Sequence, residues 1–295
     1  MIGCNIIKNL YEVYNNYDAY IVDIWGVLWD GLETYEHAID TLEKLRKNKK
    51  VIVLLSNAPR RSSLVAERLS SIGINKNHYD TIISSGEVCR EYFLGNNSNL
   101  SKTGNFFYFI GQEADKGIAL NLKIKEKEDI SESNFLLVCG TRDFGHTLKD
   151  YIKELDEGLK LNLPLICANP DKVVVRKDGE LIVCAGILAD YYQVHGGKVF
   201  YFGKPYKEVY NKCLAFLNKI NPAISVKNIL VIGDSLETDI VGANKANIKS
   251  LLIANGIHSK QLYKSSHSNL SLKNLTSLSK EFSAFPDYVI KSFIF

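Results

Sequence analysis

Short apolar runs, each closed by a polar residue, recur along this 295-residue chain and restrict it to few folds. "AYIVD" ends at Asp23, "VIVLLSN" at Ser56 and Asn57, "VFYFGK" at Lys204 and "NILVIGD" at Asp234. Continuous runs of this length suit strands buried on both faces. Between them the apolar residues fall at helical spacing, as at Ala38, Leu42 and Leu45. Such alternation predicts an α/β protein, a doubly wound parallel sheet with helices on both faces. The 46% hydrophobic content supplies an ample core.

The pattern occurs in two blocks. The first continues through "RRSSLVAERLSSIGI", a helix with Gly73 as its C-cap. The second reads "VFYFGKP", "KEVYNKCLAFLNKI", "NILVIGD", "ETDIVGANKAN" and "SLLIANG" as strand, helix, strand, helix and strand, with a last strand at "PDYVI". A helix-containing surface segment, with disorder as the alternative, is expected between Ser259 and Ser283. Residues 86–196 carry strand patterns of their own at "FFYFIG", "FLLVCGT", "LPLICAN", "KVVVR" and "ELIVCAG". That is too much structure for a loop. The expected organisation is a core domain of residues 1–85 and 197–295, with a second α/β domain of residues 86–196 inserted so that it faces the sheet's ligand-binding edge.

Several function classes are disfavoured. The formal charge is only +3, and the basic clusters around Lys47 to Lys50 and at Arg60 and Arg61 are short and lack interleaved aromatics, so no nucleic-acid partner is expected. No apolar run approaches the roughly 20 residues that span a bilayer, and the N-terminal segment is too polar for a secretory signal. The expectation is a cytoplasmic protein with no membrane partner. The six scattered cysteines show no metal-binding spacing and read as small core hydrophobes. Neither GxxxxGK[ST] nor GxGxxG occurs.

Ligands of open α/β sheets bind at the carboxyl ends of the strands. Asp or Ser at one strand end is commonly a turn or cap residue; four polar strand ends in this order suit phosphoryl transfer. A carboxylate such as Asp23 can attack phosphorus and divide hydrolysis into two steps through an aspartyl phosphate. Mg²⁺ favours carboxylate and carbonyl oxygens, available from Asp23, the backbone of Trp25 and Asp234. Lys204 and Ser56, with backbone N–H groups at the following helix start, can hold phosphoryl oxygens.

Over nearly its full length the chain resembles the haloacid dehalogenase-like (HAD) hydrolase superfamily, and within it class IIA, the nitrophenylphosphatase-like branch. "DIWGVLWDG", "LLSNAPR", "FGKP" and "GDSLETDIVGA" resemble its four motifs, and "CANPDKVVVR" resembles the Asn-Pro-Asp signature of the inserted cap. "GIHSKQL" and the terminal "PDYVI" fit as well. The resemblance implies a Rossmann-like core with an inserted C2-type cap, and an Mg²⁺-dependent phosphatase acting on a small phosphorylated metabolite. It makes Asp23 the nucleophile and a metal ligand, and places Lys204 in catalysis and, with Ser56 and Asn57, in phosphate binding. Asp234 binds the metal, Asp239 supports the metal site, and Asn169 and Asp171 face substrate or metal-bound water from the cap, with a structural role in the Asn-Pro-Asp turn as the alternative. A homodimer formed through the cap is compatible with the resemblance.

One residue departs from the pattern. Most phosphatases of the superfamily carry at the position of Trp25 an aspartate that protonates the leaving oxygen and then activates water. Indole does neither. The D-x-W-G-V reading, with "CAG" at 184–186 and "GG" at 196–197, resembles one subset of class IIA. Three readings stay open: Trp25 is packing; it shapes a pocket for an apolar or aromatic leaving group while Asp30, a cap residue or the substrate handles protons; or turnover is weak or lost, leaving a phosphoryl-ligand-binding protein. Asp30 itself also reads as a turn residue in "WDG", and His146 and His195 as ordinary surface or hydrogen-bonded histidines. Losing an acid/base costs roughly 10² to 10⁴ in rate. Aryl phosphates, which need little leaving-group protonation, are therefore the favoured substrates.

Overall fold

The computed structural model describes residues 3–95, 104–176, 179–263 and 269–295. In chain order the first elements are β1 (Asn5–Ile6), β2 (Ala19–Asp23), α1 (Ala38–Lys47), β3 (Val51–Ser56), α2 (Ser62–Ser71), β4 (Thr81–Ser84) and α3 (Ser85–Leu94). The middle of the chain forms β5 (Phe106–Ile110), β6 (Lys125–Glu126), β7 (Phe135–Val138), α4 (Ile152–Lys160), β8 (Leu165–Cys167), β9 (Val173–Val175), β10 (Leu181–Val183), α5 (Ala185–Val194) and β11 (Val199–Tyr201). The rest forms α6 (Lys207–Ile220), β12 (Ile229–Gly233), α7 (Val241–Lys245), β13 (Lys249–Ile253), α8 (Ser259–Leu262), α9 (Leu272–Glu281) and β14 (Tyr288–Ile290).

Seven strands make an all-parallel sheet in the order β1-β14-β13-β12-β2-β3-β4. All five residues of β2 are buried, as its continuous apolar run requires of a central strand. From β2 the chain moves one way through β3 and β4, whereas from β12 it moves the other way through β13 and β14. The sheet therefore reverses direction between β2 and β12. At that switch the carboxyl ends of adjacent strands splay apart and leave a crevice. Helix α1 buries Ala38, Thr41, Leu42 and Leu45, a stripe at helical spacing that packs against this sheet.

A second parallel sheet has the order β11-β8-β7-β5-β6. β9 and β10 pair with each other as an antiparallel ribbon. One strand lies elsewhere than the sequence suggests. β11 was expected to open the returning half of the core, but it pairs with β8 and closes the second sheet. A three-residue apolar strand carries no mark of which edge it will join. The helix expected over "ETDIVGANKAN" begins as a π-helical turn at Leu236–Ile240 and continues as α7. None of the described helices is long and apolar enough to cross a membrane.

The two sheets share packing. One buried cluster joins Ile21, Val53 and Leu55 of the first sheet to Phe107, Leu137 and Ile166 of the second, with Cys89 of α3 and Val209 and Cys213 of α6 between them. Truncating a fully buried leucine costs about 2 to 5 kcal/mol. Leu137→Ala should therefore lower the melting temperature of the whole chain as one calorimetric transition. A split endotherm in which only part of the chain melts early would refute the shared core.

Candidate active site

The nucleophile candidate ends β2, and the turn after it is tightly closed. Leu28 and Trp29 donate their N–H groups to the Ile24 carbonyl at 2.9 and 3.1 Å, and Gly26 donates to the Trp29 carbonyl at 2.9 Å. These bonds bypass the Trp25 carbonyl. Gly26 sits at φ +84°, and a Cβ there would stand 2.1 Å from Asp234 Oδ2. Glycine at this point satisfies the left-handed backbone and lets the turn press against the carboxylate.

On the other side of the switch, β12 ends at Gly233 and delivers Asp234. Ser235 caps the following π-helical turn by accepting from Thr238 N. That turn brings Asp239 back to the strand end, where its Oδ2 accepts from Ser235 N at 3.1 Å. Asp234 Oδ2 accepts from Ile257 N at 2.8 Å. Lys204 then enters from the loop after β11. Its Nζ donates to Asp23 Oδ1 at 2.5 Å and to Asp239 Oδ1 at 2.7 Å.

Asn57 fixes the backbone of Lys204 by accepting its N–H at 2.7 Å and donating to its carbonyl at 3.1 Å. Asn57 Nδ2 also donates to Asp171 Oδ1 at 2.8 Å. Asn57 also lines the cavity beside Ser56. Its side chain is occupied in bracing Lys204 and Asp171, because the loops after β3 and β11 meet across it. Ser56 lines the cavity, and its Oγ accepts from Ala58 N at 3.1 Å.

One ammonium thus lies among three buried carboxylates, Asp23, Asp234 and Asp239. Burial raises the Asp23 carboxyl well above its usual range, reinforced by Asp239 and opposed by Lys204. Burial, then the Asp239 charge, pushes Asp234 up to about 7. For Lys204 burial favours the neutral amine, but the Asp23 and Asp239 charges outweigh it and hold the ammonium protonated. One oxygen from each of the three aspartates lies within 4.8 Å of the others. An all-oxygen, net-negative donor set of this kind fits Mg²⁺.

Above the cluster opens a cavity of about 720 Å³. Trp25, Trp29 and Tyr35 line one side of it, and Val173, Val175 and Ile182 of the ribbon also contribute. Trp25 joins the first-sheet turn to the ribbon, because its Nε1–H donates to the Val175 carbonyl at 2.9 Å. Its ring meets Trp29 edge-on, with centroids 4.8 Å apart, and lies over Gly31, where a Cβ would stand 2.7 Å from the indole. The Arg68 guanidinium covers Trp29, 5.2 Å from the ring centroid.

Other candidates fall into place around this wall. Asp30 is a turn residue, with Oδ1 accepting from Leu32 N and Glu33 N at 2.9 and 2.8 Å. Neither His146 nor His195 lines the cavity; His146 pairs with Tyr151 and His195 with the Tyr191 carbonyl. Arg60 is bonded to Asp115 and Gln112, and Arg61 to Glu87. Asn169 and Asp171 both line the cavity, with Asn169 Oδ1 accepting from Asp171 N at 3.1 Å. The sequence pattern does not single out His258, whose Nε2 accepts from Leu236 N at 3.1 Å and so anchors the turn that carries Asp239. "GIHSKQL" was its only mark.

Comparison with known proteins agrees with this geometry. A family model described as haloacid dehalogenase-like hydrolase matches residues 20–125, and one described as HAD-hydrolase-like matches residues 201–278. The chain belongs to the haloacid dehalogenase-like hydrolases. Among its relatives, the sugar-phosphatase AraL of Bacillus subtilis (strain 168) is 25% identical over 88% of this chain and 93% of its own. The ribonucleotide monophosphatase NagD of Escherichia coli (strain K12) is 24% identical over 81% and 88%. A haloacid dehalogenase-like hydrolase from Brucella suis 1330 superposes with a TM-score of 0.84 at 29% identity, covering 98% of this chain and 100% of that one. The first match runs from β2 into the second sheet, the other from the end of β11 into α9, and together they include every member of the Asp23, Lys204, Asp234 and Asp239 cluster.

A net-negative buried cluster should respond to a dication. Adding Mg²⁺ should raise the melting temperature, by the equivalent of about 2.7 kcal/mol at a hundredfold excess over its Kd. Asp234→Asn should remove most of that increment and, by deleting a like charge, raise the melting temperature of the metal-free protein near pH 7. Calorimetry with and without Mg²⁺ checks both, and an unchanged Mg²⁺ increment in the variant would exclude Asp234 as a ligand.

Proposed function

We propose that the protein is an Mg²⁺-dependent phosphatase acting on a small phosphomonoester through an aspartyl phosphate at Asp23. The observation that carries this reading is the contact of Lys204 with both Asp23 and Asp239, beside Asp234 and beneath a cavity also lined by Ser56. The phosphatase relatives support it. Asp23, Asp234 and the Trp25 carbonyl would hold Mg²⁺, with Asp239 in support; the ion would supply positive charge against the phosphoryl oxygens. Lys204 orients the Asp23 carboxylate and offers its ammonium to the transferring group. Ser56 Oγ and the backbone N–H groups after it bind the remaining phosphoryl oxygens. The second sheet and its ribbon act as the cap, with the core resuming after Tyr201 rather than at residue 197.

The walls favour a flat or apolar organic group on the substrate. Trp25, Trp29 and Tyr35 present aromatic surface, and the valines of β9 present aliphatic surface. Aryl phosphates therefore suit the site sterically as well as chemically. A second reading, a phosphoryl-ligand-binding protein without turnover, is favoured by one observation: the indole N–H of Trp25 is spent on Val175 and performs no proton transfer.

Purified protein should hydrolyse p-nitrophenyl phosphate in Mg²⁺ and lose activity on chelation. Asp23→Asn should reduce turnover by about 10⁴-fold while retaining the fold. Full Mg²⁺-dependent turnover in that variant would exclude Asp23 as nucleophile. Tight Mg²⁺-dependent binding of phosphate with no release of p-nitrophenolate would establish the second reading.

A further inference from the structure

An indole at position 25 leaves two proton transfers without an agent, and the cavity narrows the search for one. Among the described residues, five carboxyl side chains line it: Asp23, Asp30, Asp115, Asp171 and Asp234. Asp23 is bonded to Lys204, and Asp234 belongs to the carboxylate cluster. Asp30 is held by the Leu32 and Glu33 N–H groups within its turn. Asp115 is clasped by the Arg60 guanidinium at 2.6 Å. No histidine lines the cavity among the described residues. Tyr35 does, but burial and the nearby Asp234 and Asp30 charges raise its hydroxyl, so it does not become a base near neutrality.

We infer that Asp171 is the general acid and base of the reaction proposed above, on which this inference rests. Its backbone is fixed at both ends. Its N–H donates to Asn169 Oδ1 at 3.1 Å, and its carbonyl accepts from Gly186 N at 3.0 Å. A Cβ on Gly186 would stand 2.3 Å from the Pro170 carbonyl oxygen and 2.6 Å from that of Asp171, so only glycine lets α5 start this close. The Asp171 side chain is joined to the nucleophile by a short relay of contacts. Its Oδ1 accepts from Asn57 Nδ2, Asn57 brackets the Lys204 backbone, and Lys204 Nζ touches Asp23.

The setting suits proton transfer. Burial raises the Asp171 carboxyl to about 6 against the pull of Lys204 and Asn57, with Asp239 and Glu237 adding to the rise. The adjacent Lys172 is paired with Asp190 and Glu237. Acid and base forms are thus both accessible near neutrality, the condition for one group to serve both steps. In the first, Asp23 attacks phosphorus, the P–O bond to the alcohol breaks, and Asp171 gives its proton to the departing oxygen. In the second, the Asp171 carboxylate takes a proton from water as the water oxygen attacks phosphorus. The Asp23–phosphorus bond breaks, phosphate leaves, and both aspartates return to their starting states.

The test is rapid-mixing kinetics of Asp171→Asn with p-nitrophenyl phosphate and Mg²⁺. Nitrophenolate leaves without protonation, so the variant should release about one equivalent per enzyme in a burst. It should then turn over about 10²- to 10⁴-fold more slowly than wild type, with phosphoenzyme trapped on acid quench. With an alkyl phosphate the burst should vanish, because the first step then needs the acid. Wild-type steady turnover in the variant would overturn the inference. So would loss of the burst together with the steady rate, which would make Asp171 only a brace for Asn57 and Lys204. Absence of both release and phosphoenzyme in the wild-type protein would instead overturn the phosphatase reading itself, and the inference with it.

Discussion

The Lys204 ammonium is the constraint around which the rest is arranged. Asp23 from the end of β2 and Asp239 from the turn after β12 reach it at 2.5 and 2.7 Å from opposite sides of the sheet's switch point. Two carboxylates this close and this buried do not both ionise without a cation between them. Lys204 follows the last strand of the second sheet, so the charge that makes the first sheet's site tenable is delivered by the chain as it leaves the inserted segment. Placing the ammonium correctly therefore places β11 and sets where the second sheet can lie. Asn57 enforces this by gripping the Lys204 backbone on both its N–H and its carbonyl.

Close approach at the switch point also depends on missing atoms. A Cβ on Gly26, Gly233 or Gly256 would stand 2.1 to 2.2 Å from an atom of Asp234 or Asp239. The glycine after "IW", the one before Asp234 and the one before "IH" thus belong to a single packing problem, although they are far apart in the chain. His258 and the Ile257 N–H complete it from the loop after β13, each holding one part of the acidic turn.

Much of this was legible because burial writes itself into composition. The continuous runs at β2, β3, β12 and β13 identified central strands, and their polar termini identified Asp23, Ser56, Asp234 and, through "FGKP", Lys204. What stayed hidden depends on long-range pairing. β11 is as apolar as a core strand, and nothing local reveals that its partner is β8. Asn57 follows Ser56 at a strand end, and nothing local reveals that its side chain pairs with Asp171 and Lys204, more than 100 residues away. The bond from Trp25 to a Val175 carbonyl has no side-chain signature at the acceptor end, so it could only be read in three dimensions.

That bond changes what Trp25 means. A carboxylic acid at this position would be free to exchange protons with a ligand, whereas the indole is anchored to the ribbon and closes one side of the cavity. The shared apolar cluster joins the two sheets as well, so the cavity is bounded by groups already packed in place. Preformed walls select ligands by shape, and the walls here are aromatic and aliphatic, which is the basis of the proposed preference for flat or apolar groups. In the reaction proposed above, the chemistry displaced from position 25 comes from a residue on the same fixed frame. Asp171 meets that requirement because its carboxyl is hydrogen-bonded to the side chain that aligns Lys204, so the proposed proton donor, the proposed nucleophile and the cation are positioned by one connected set of bonds.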